Sequence, residues 1–209
     1  MLLEQVFNSH SELKIMKTIL KNTVLQTNKL VLDAISWEKF EQIETTFQDI
    51  EGVRFIYLDG ELEIIMGPSR KHEDTKSNIS VLLDAYMREK KIRFYRRGSA
   101  TLGNKEITGR KEPDESYNIH IQKDIPDLVI EVILTSGDIN ILEIYRRIAV
   151  PEVWFYQDNI LIVYALRDGQ YIQVNKSQLL PELNLENFTK CINCQDQYDA
   201  VTEFINSLQ

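Results

Sequence analysis

Apolar and polar positions along the chain fall into short, distinct patterns. From Ser36 onward, Trp37, Phe40, Ile43 and Phe47 recur at three- and four-residue spacing, which predicts an amphipathic helix capped by Ser36. Arg54 to Met66 (RFIYLDGELEIIM) holds two alternating runs joined by Asp59-Gly60. Asp-Gly between such runs predicts a hairpin, because both turn residues need positive φ. Ser69 can cap a second helix over about Lys71 to Lys90, with Ile79, Leu82, Leu83 and Tyr86 on one face. Strand-like runs follow at Ile92 to Arg96, Ser99 to Leu102 and Ser116 to Ile121, with a Gly-containing loop from Gly103 to Arg110 ahead of the last.

The segment from Pro126 to Trp154 organises the rest. Pro126 to Leu134 is apolar nearly throughout, with Asp127 and Glu131 as its only charges, and reads as a strand buried on both faces in mid-sheet. Alternation puts Asp127, Val129 and Glu131 on one face. A carboxylate so placed is costly unless paired or bound to a metal. Asp138 to Ile148 reads as a helix ended by Val150-Pro151. Val153 to Gln157 and Ile160 to Leu166 predict a hairpin across Asp158-Asn159, extended by Tyr171 to Val174, and Tyr198 to Leu208 reads as a closing helix. Residues 1–30 show no sustained period and are expected to form an arm, with 31–209 as a single domain. The order predicts an α/β fold, a mixed sheet flanked by helices.

Composition narrows the picture in three ways. The 209 residues are 43% apolar and 27% charged, ordinary for a globular protein. No apolar run approaches the ~20 residues that span a bilayer, and MLLEQVFNSHSELK lacks a basic region followed by an apolar core, so a cytoplasmic chain is expected. The net charge of -8 argues against a broad nucleic-acid surface, although Lys90 to Arg97 forms a local basic cluster with aromatics interleaved. That cluster reads first as a helix end running into an edge strand. Cys191 and Cys194, far in sequence from His10, His72 and His120, read as structural thiols rather than a zinc site.

Phosphate-loop, dinucleotide and hydrolase-elbow motifs are absent, and carboxylate chemistry remains. Glu112, Asp114 and Glu115 stand at the entrance of one strand, Glu131 lies late in another, and Glu73 lies in the first turns of a helix. Acidic residues favour a helix N-terminus for dipole reasons alone. Hard oxygen ligands of this kind suit Mg²⁺ or Mn²⁺.

The segments EPDESY, PDLVIEVILTSGD and LEIYRRIAVPEVWFY, with ISWEKF and YLDGELEIIMGPSRKHE ahead of them, resemble the Uma-type family of restriction-endonuclease-like proteins. The resemblance runs from about Ser36 to the C-terminus. It implies a restriction-endonuclease-like core and the chemistry of the PD-(D/E)XK nucleases, in which an Asp, a further acid and a Lys surround divalent metal. On that reading Asp114 and Glu131 are the metal ligands, helped by a backbone carbonyl near Val132, and Glu73 is the acidic helix residue. Asp127 is the weaker candidate. The implied cofactor is Mg²⁺ or Mn²⁺, the implied substrate DNA, and the implied assembly a homodimer. One departure stands out. The lysine position on the helix holds Ile141, and the alternative strand position holds Ile133. Arg146 and Arg147 are the nearest downstream cations, and Lys76 is a substitute near Glu73. An alternative is therefore a nuclease-fold protein that binds nucleic acid or a protein partner without turnover.

Overall fold

Asp59 and Gly60 both adopt positive φ, 50° and 98°, as a two-residue hairpin turn demands. The computed structural model describes residues 29–67, 69–133 and 140–208. In the first part, β1 (Lys29–Leu32), helix α1 (Trp37–Phe47), β2 (Val53–Leu58) and β3 (Glu61–Met66) precede the long helix α2 (Arg70–Glu89). Four short strands follow: β4 (Phe94–Arg96), β5 (Leu102–Asn104), β6 (Gly109–Lys111) and β7 (Glu115–Ile119). Then come β8 (Leu128–Ile133), α3 (Ile141–Arg147), β9 (Glu152–Gln157), β10 (Ile160–Arg167), β11 (Gln170–Val174), α4 (Leu185–Ile192) and α5 (Gln197–Asn206).

These strands build two sheets rather than one. A five-stranded sheet has the order β1-β3-β2-β6-β5, and a six-stranded sheet the order β11-β10-β9-β8-β7-β4. The hairpin therefore joins β5 and β6, not the sheet of the central strand. Within the second sheet β8 is central, antiparallel to β7 and parallel to β9. The α/β class and restriction-endonuclease-like core expected from the sequence are what the chain adopts.

Alternation along the strands sets the layers. On the first sheet Tyr57, Leu62 and Ile64 meet Trp37, Phe40, Ile43 and Phe47 of α1, and the Tyr57 hydroxyl donates to the Ile35 carbonyl at 2.9 Å. The opposite face of β2 presents Ile56 and Leu58 to Ile144 of α3. On the second sheet Leu128, Ile130 and Val132 meet Ile79, Leu82, Leu83 and Tyr86 of α2, with Phe188 of α4 and Phe204 of α5 completing the core. Val129, on the other face of β8, packs with Tyr145 of α3. Helix α3 thus lies between the sheets. The caps at Ser36 and Ser69 form as expected, each side-chain oxygen accepting from the backbone N–H three residues on.

Three expectations need correction. The loop over 103–110 ends in β5 and β6, whose pairing is too short to leave a period in the sequence. Helix α4 is an element absent from the expected order, a short amphipathic helix that carries Cys191 into the core. The helix read from Asp138 starts at Ile141 behind an Asn140 cap, and Asp138 lies outside the described residues. Residues 1–28 of the expected arm also lie outside them, while Lys29 and Leu30 belong to β1.

Candidate active site

Strand β6 of the first sheet runs through Glu112 and Pro113 into β7 of the second, and Asp114 sits at that crossing. Its Oδ2 accepts the Val132 backbone N–H at 2.8 Å and lies 3.1 Å from His72 Nε2. Its Oδ1 receives the Arg54 guanidinium from β2. Both carboxylates are almost wholly buried, Asp114 at 3% exposure and Glu131 at 3%. Glu131 follows from β8, where its Oε1 accepts the Tyr145 hydroxyl of α3 and its Oε2 stands 3.1 Å from Lys111 Nζ.

Local rules explain each position. In β2, Arg54, Ile56 and Leu58 share one face, so the face that packs on α3 also directs Arg54 toward Asp114. Lys111 stands opposite Ile56 across β2–β6 and opposite Leu102 across β5–β6. Directly opposed residues of antiparallel strands share a face, so Lys111 points with Ile56 and Leu102 into the gap between the sheets. Glu131 shares its face of β8 with Val129 and so turns toward Tyr145. In the first turn of α2, His72 Nδ1 lies 3.1 Å from Glu73 Oε1, and Arg54 Nη2 donates to the same oxygen at 3.2 Å.

The two acids titrate apart. Burial opposes ionisation of Asp114, yet the His72 hydrogen bond, the Lys111 and His72 charges and the Val132 amide hold it well below the usual carboxylate range. Burial pushes Glu131 up to about 7, with Lys111 and Tyr145 opposing and the Asp114 charge adding to the rise. Burial alone would lower His72, but its hydrogen bond to Asp114 and that carboxylate's charge raise it.

The family model of Uma2, described as putative restriction endonuclease, matches residues 37–194. The chain belongs to the Uma2 family. A search of the curated proteins returns no match. The Uma2 match spans every residue of the cluster, from Arg54 to Tyr145. No helix among the described residues is long and apolar enough to cross a membrane.

With the Uma2 assignment in place, the sequence-derived candidates sort as follows. Glu73, Asp114 and Glu131 come together, Glu73 through Arg54 and His72, and Glu131 through its neighbour Val132. Of the acids at 112–115 only Asp114 enters the cluster. Glu115 is buried against Arg96, with Nη2 to Oε2 at 2.5 Å, and accepts from the Ser80 hydroxyl at 3.1 Å, while Glu112 accepts from Thr101 at the surface. Asp127 lies beyond the far end of β8, where it accepts the Ile119 N–H at 2.8 Å and pairs with Lys123. Ile141 packs in the apolar cluster around Tyr145. Arg146 and Arg147 are occupied by Glu143, and Arg147 also by Asp59. Lys76 reaches Glu73 at 3.9 Å and Ser99 at 3.5 Å. In the basic cluster, Arg96 and Arg97 are held by Glu115 and Asn118 on the edge of the second sheet.

Arg54, His72, Lys111 and Tyr145 are the members that sequence reasoning missed, and Arg54 and Lys111 are the cations among them furthest from any motif. Their two strands meet through the β2–β6 pairing, which joins distant parts of the chain, and a Lys beside Arg110 and Glu112 carries no pattern of its own. The one available signal is that Lys111 lies three residues before Asp114.

Among the described residues no group of three or more His, Cys, Asp or Glu is arranged as a metal cage. Mg²⁺, however, is commonly held by one or two carboxylates with substrate oxygens and water filling the remaining positions. The two converging carboxylates, hard oxygen donors already drawing positive partners to them, suit such an ion.

Proposed function

We propose that this Uma2 chain is a cytoplasmic nuclease that hydrolyses DNA phosphodiester bonds with Mg²⁺ or Mn²⁺ at Asp114 and Glu131. The observation that carries the reading is the meeting of two buried carboxylates from neighbouring segments: Asp114 accepts the amide of Val132, the residue after Glu131, and both acids feel the charge of Lys111. Held there, such an ion would supply an activated water and would neutralise charge on the phosphate undergoing displacement. Asp114 stays ionised because Arg54, His72 and the Val132 amide surround it. Glu73, partly exposed at the N-terminus of α2, orients Arg54 and His72 toward Asp114. Tyr145 holds Glu131 by its Oε1 and fixes the rotamer of the acid. Scission of both strands calls for two copies, so a homodimer belongs to the same reading.

A second reading has its own support. Each oxygen of Asp114 and Glu131 already has a donor or cation from the chain, and Ile stands at both 141 and 133. Such a centre would bind nucleic acid or a protein partner without turnover.

Mn²⁺ titration by calorimetry on wild type and Glu131→Ala, with nicking of supercoiled plasmid alongside, separates the two. Specific binding abolished by the substitution, together with nicking by the wild type, is the expected result. Binding without nicking favours the second reading, and no specific binding removes the site assignment.

A further inference from the structure

We infer that Lys111 supplies the positive charge of the reaction centre, the part for which residues 141 and 133 offer only isoleucine. The inference rests on the nuclease reading above and names a residue for it. Lys111 is 7% exposed, and its Nζ lies 3.1 Å from Glu131 Oε2 and donates to the Glu112 carbonyl at 3.2 Å. An ammonium has three protons, so these contacts leave one for a further acceptor beside the two acids. Its charge acts on both, since Asp114 and Glu131 each feel it.

Stability does not account for this lysine. A buried ion pair seldom outdoes an apolar pair of the same volume, and the surroundings of Lys111 are apolar: Ile56 and Leu102 lie opposite it across the strands. The other cations near the cluster are shared with, or held by, acids outside the Asp114–Glu131 pair. Arg54 is divided between Asp114 and Glu73, Lys76 faces Glu73 and Ser99, and Arg147 is bound to Asp59 and Glu143. Displacement at phosphorus builds negative charge on oxygen, and a fixed cation in a dry site counters it without reorganisation. Unlike Arg, Lys is a compact point charge that can also give up a proton. The position vacated at 141 and the position filled at 111 address one centre: Ile141 lies one turn before Tyr145 and packs with it, Tyr145 holds one oxygen of Glu131, and Lys111 holds the other.

The test uses the full chain in three forms: wild type, Lys111→Met, and Lys111→Met with Ile141→Lys. Each is measured for thermal melting, for Mn²⁺ affinity by calorimetry, and for nicking of supercoiled plasmid. Lys111→Met is expected to keep Mn²⁺ binding within a few-fold while nicking falls by about 10²–10³-fold. Adding Ile141→Lys is expected to recover at least about tenfold of that loss. Unchanged nicking in Lys111→Met overturns the inference, as does joint loss of metal binding and nicking that Ile141→Lys leaves unrepaired, because Lys111 is then a strut for Glu131. Should Lys111→Met fail to melt cooperatively, the double variant decides alone: folded, Mn²⁺-binding and inactive, it overturns the inference. A wild type that binds Mn²⁺ and does not nick removes the nuclease reading and this inference with it, an outcome distinct from every one that turns on the variants.

Discussion

Arg147 grips Asp59 with both arms of its guanidinium, Nη1 at 2.7 Å from Oδ1 and Nη2 at 2.5 Å from Oδ2. The same Nη1 donates to the Ile107 carbonyl at 2.8 Å, so one side chain fastens α3 to the hairpin turn and to the approach of β6. These are the elements that aim Tyr145, Arg54 and Lys111. Arg147→Ala should cost roughly 1 kcal/mol, the upper range for a partly exposed pair, and lower the melting temperature by a few degrees.

Asp59 gives that clamp a pH signature. The Arg147 hydrogen bond, helped by Thr108, lowers its pKa from 3.8 to about 2. A depressed folded-state pKa contributes stability that is present above the unfolded value and lost as pH falls through the folded one. The stability gap between wild type and Asp59→Asn should therefore be constant above about pH 5 and close between about pH 4 and 2. Urea titrations across that range would read it.

Tyr145→Phe removes the one hydroxyl that donates to Glu131 Oε1. Losing a hydrogen bond to a buried acid costs about 1–3 kcal/mol. Since that bond also counters the rise of the Glu131 pKa, the variant should bind Mn²⁺ more weakly at neutral pH than at about pH 8.5, where the raised acid is ionised. Calorimetry at the two pH values checks both parts.

Glu152 offers a contrast. It is 1% exposed and accepts from Trp154 Nε1 at 2.6 Å, Ser177 Oγ at 2.6 Å and the Gln178 N–H at 2.8 Å. All three donors are neutral, and the cluster lies beside Leu128, at the opposite end of β8 from Glu131. Glu152→Ala should cost at least about 2 kcal/mol through orphaned donors while leaving Mn²⁺ affinity unchanged. A buried acid is thus not a functional acid by burial alone.

Gly103 tests the register that delivers Lys111. Its φ is +93°, and a Cβ there would stand 2.1 Å from the Gly109 carbonyl oxygen. Gly103→Ala must push β5 away from β6, and we expect a loss of more than about 2 kcal/mol. Nicking, if carried by Lys111, should fall by more than the loss of folded protein explains, which circular dichroism measured in parallel would separate.

What the sequence disclosed follows from the range of the interactions involved. Helix α1, the Asp59-Gly60 hairpin, α2 and the buried strand β8 are written in local periodicity and turn chemistry, so they were legible. Glu131 stood out because a charge in an apolar run is costly, and Asp114 because it opens a strand within the EPDESY segment that carries the family resemblance. Lys111, Arg54 and the split into two sheets were hidden, because each depends on β6 pairing with β2 across more than fifty residues of chain. Three-residue strands leave no alternation to read. Helix α4 escaped because it is short: its eight residues are strongly amphipathic but give barely two turns of the period.

The first sheet is interrupted in the chain by α2 and β4, and is completed only when β5 and β6 return to β2. On the ribosome, Arg54 and His72 therefore emerge well before Asp114, Glu131 and Tyr145, the groups they serve. A nascent or prematurely released fragment ending ahead of β8 holds the hairpin and the long helix but only one of the two buried acids. Assembly of the cluster therefore waits until the chain has been made through Tyr145, long after the hairpin and the long helix have emerged.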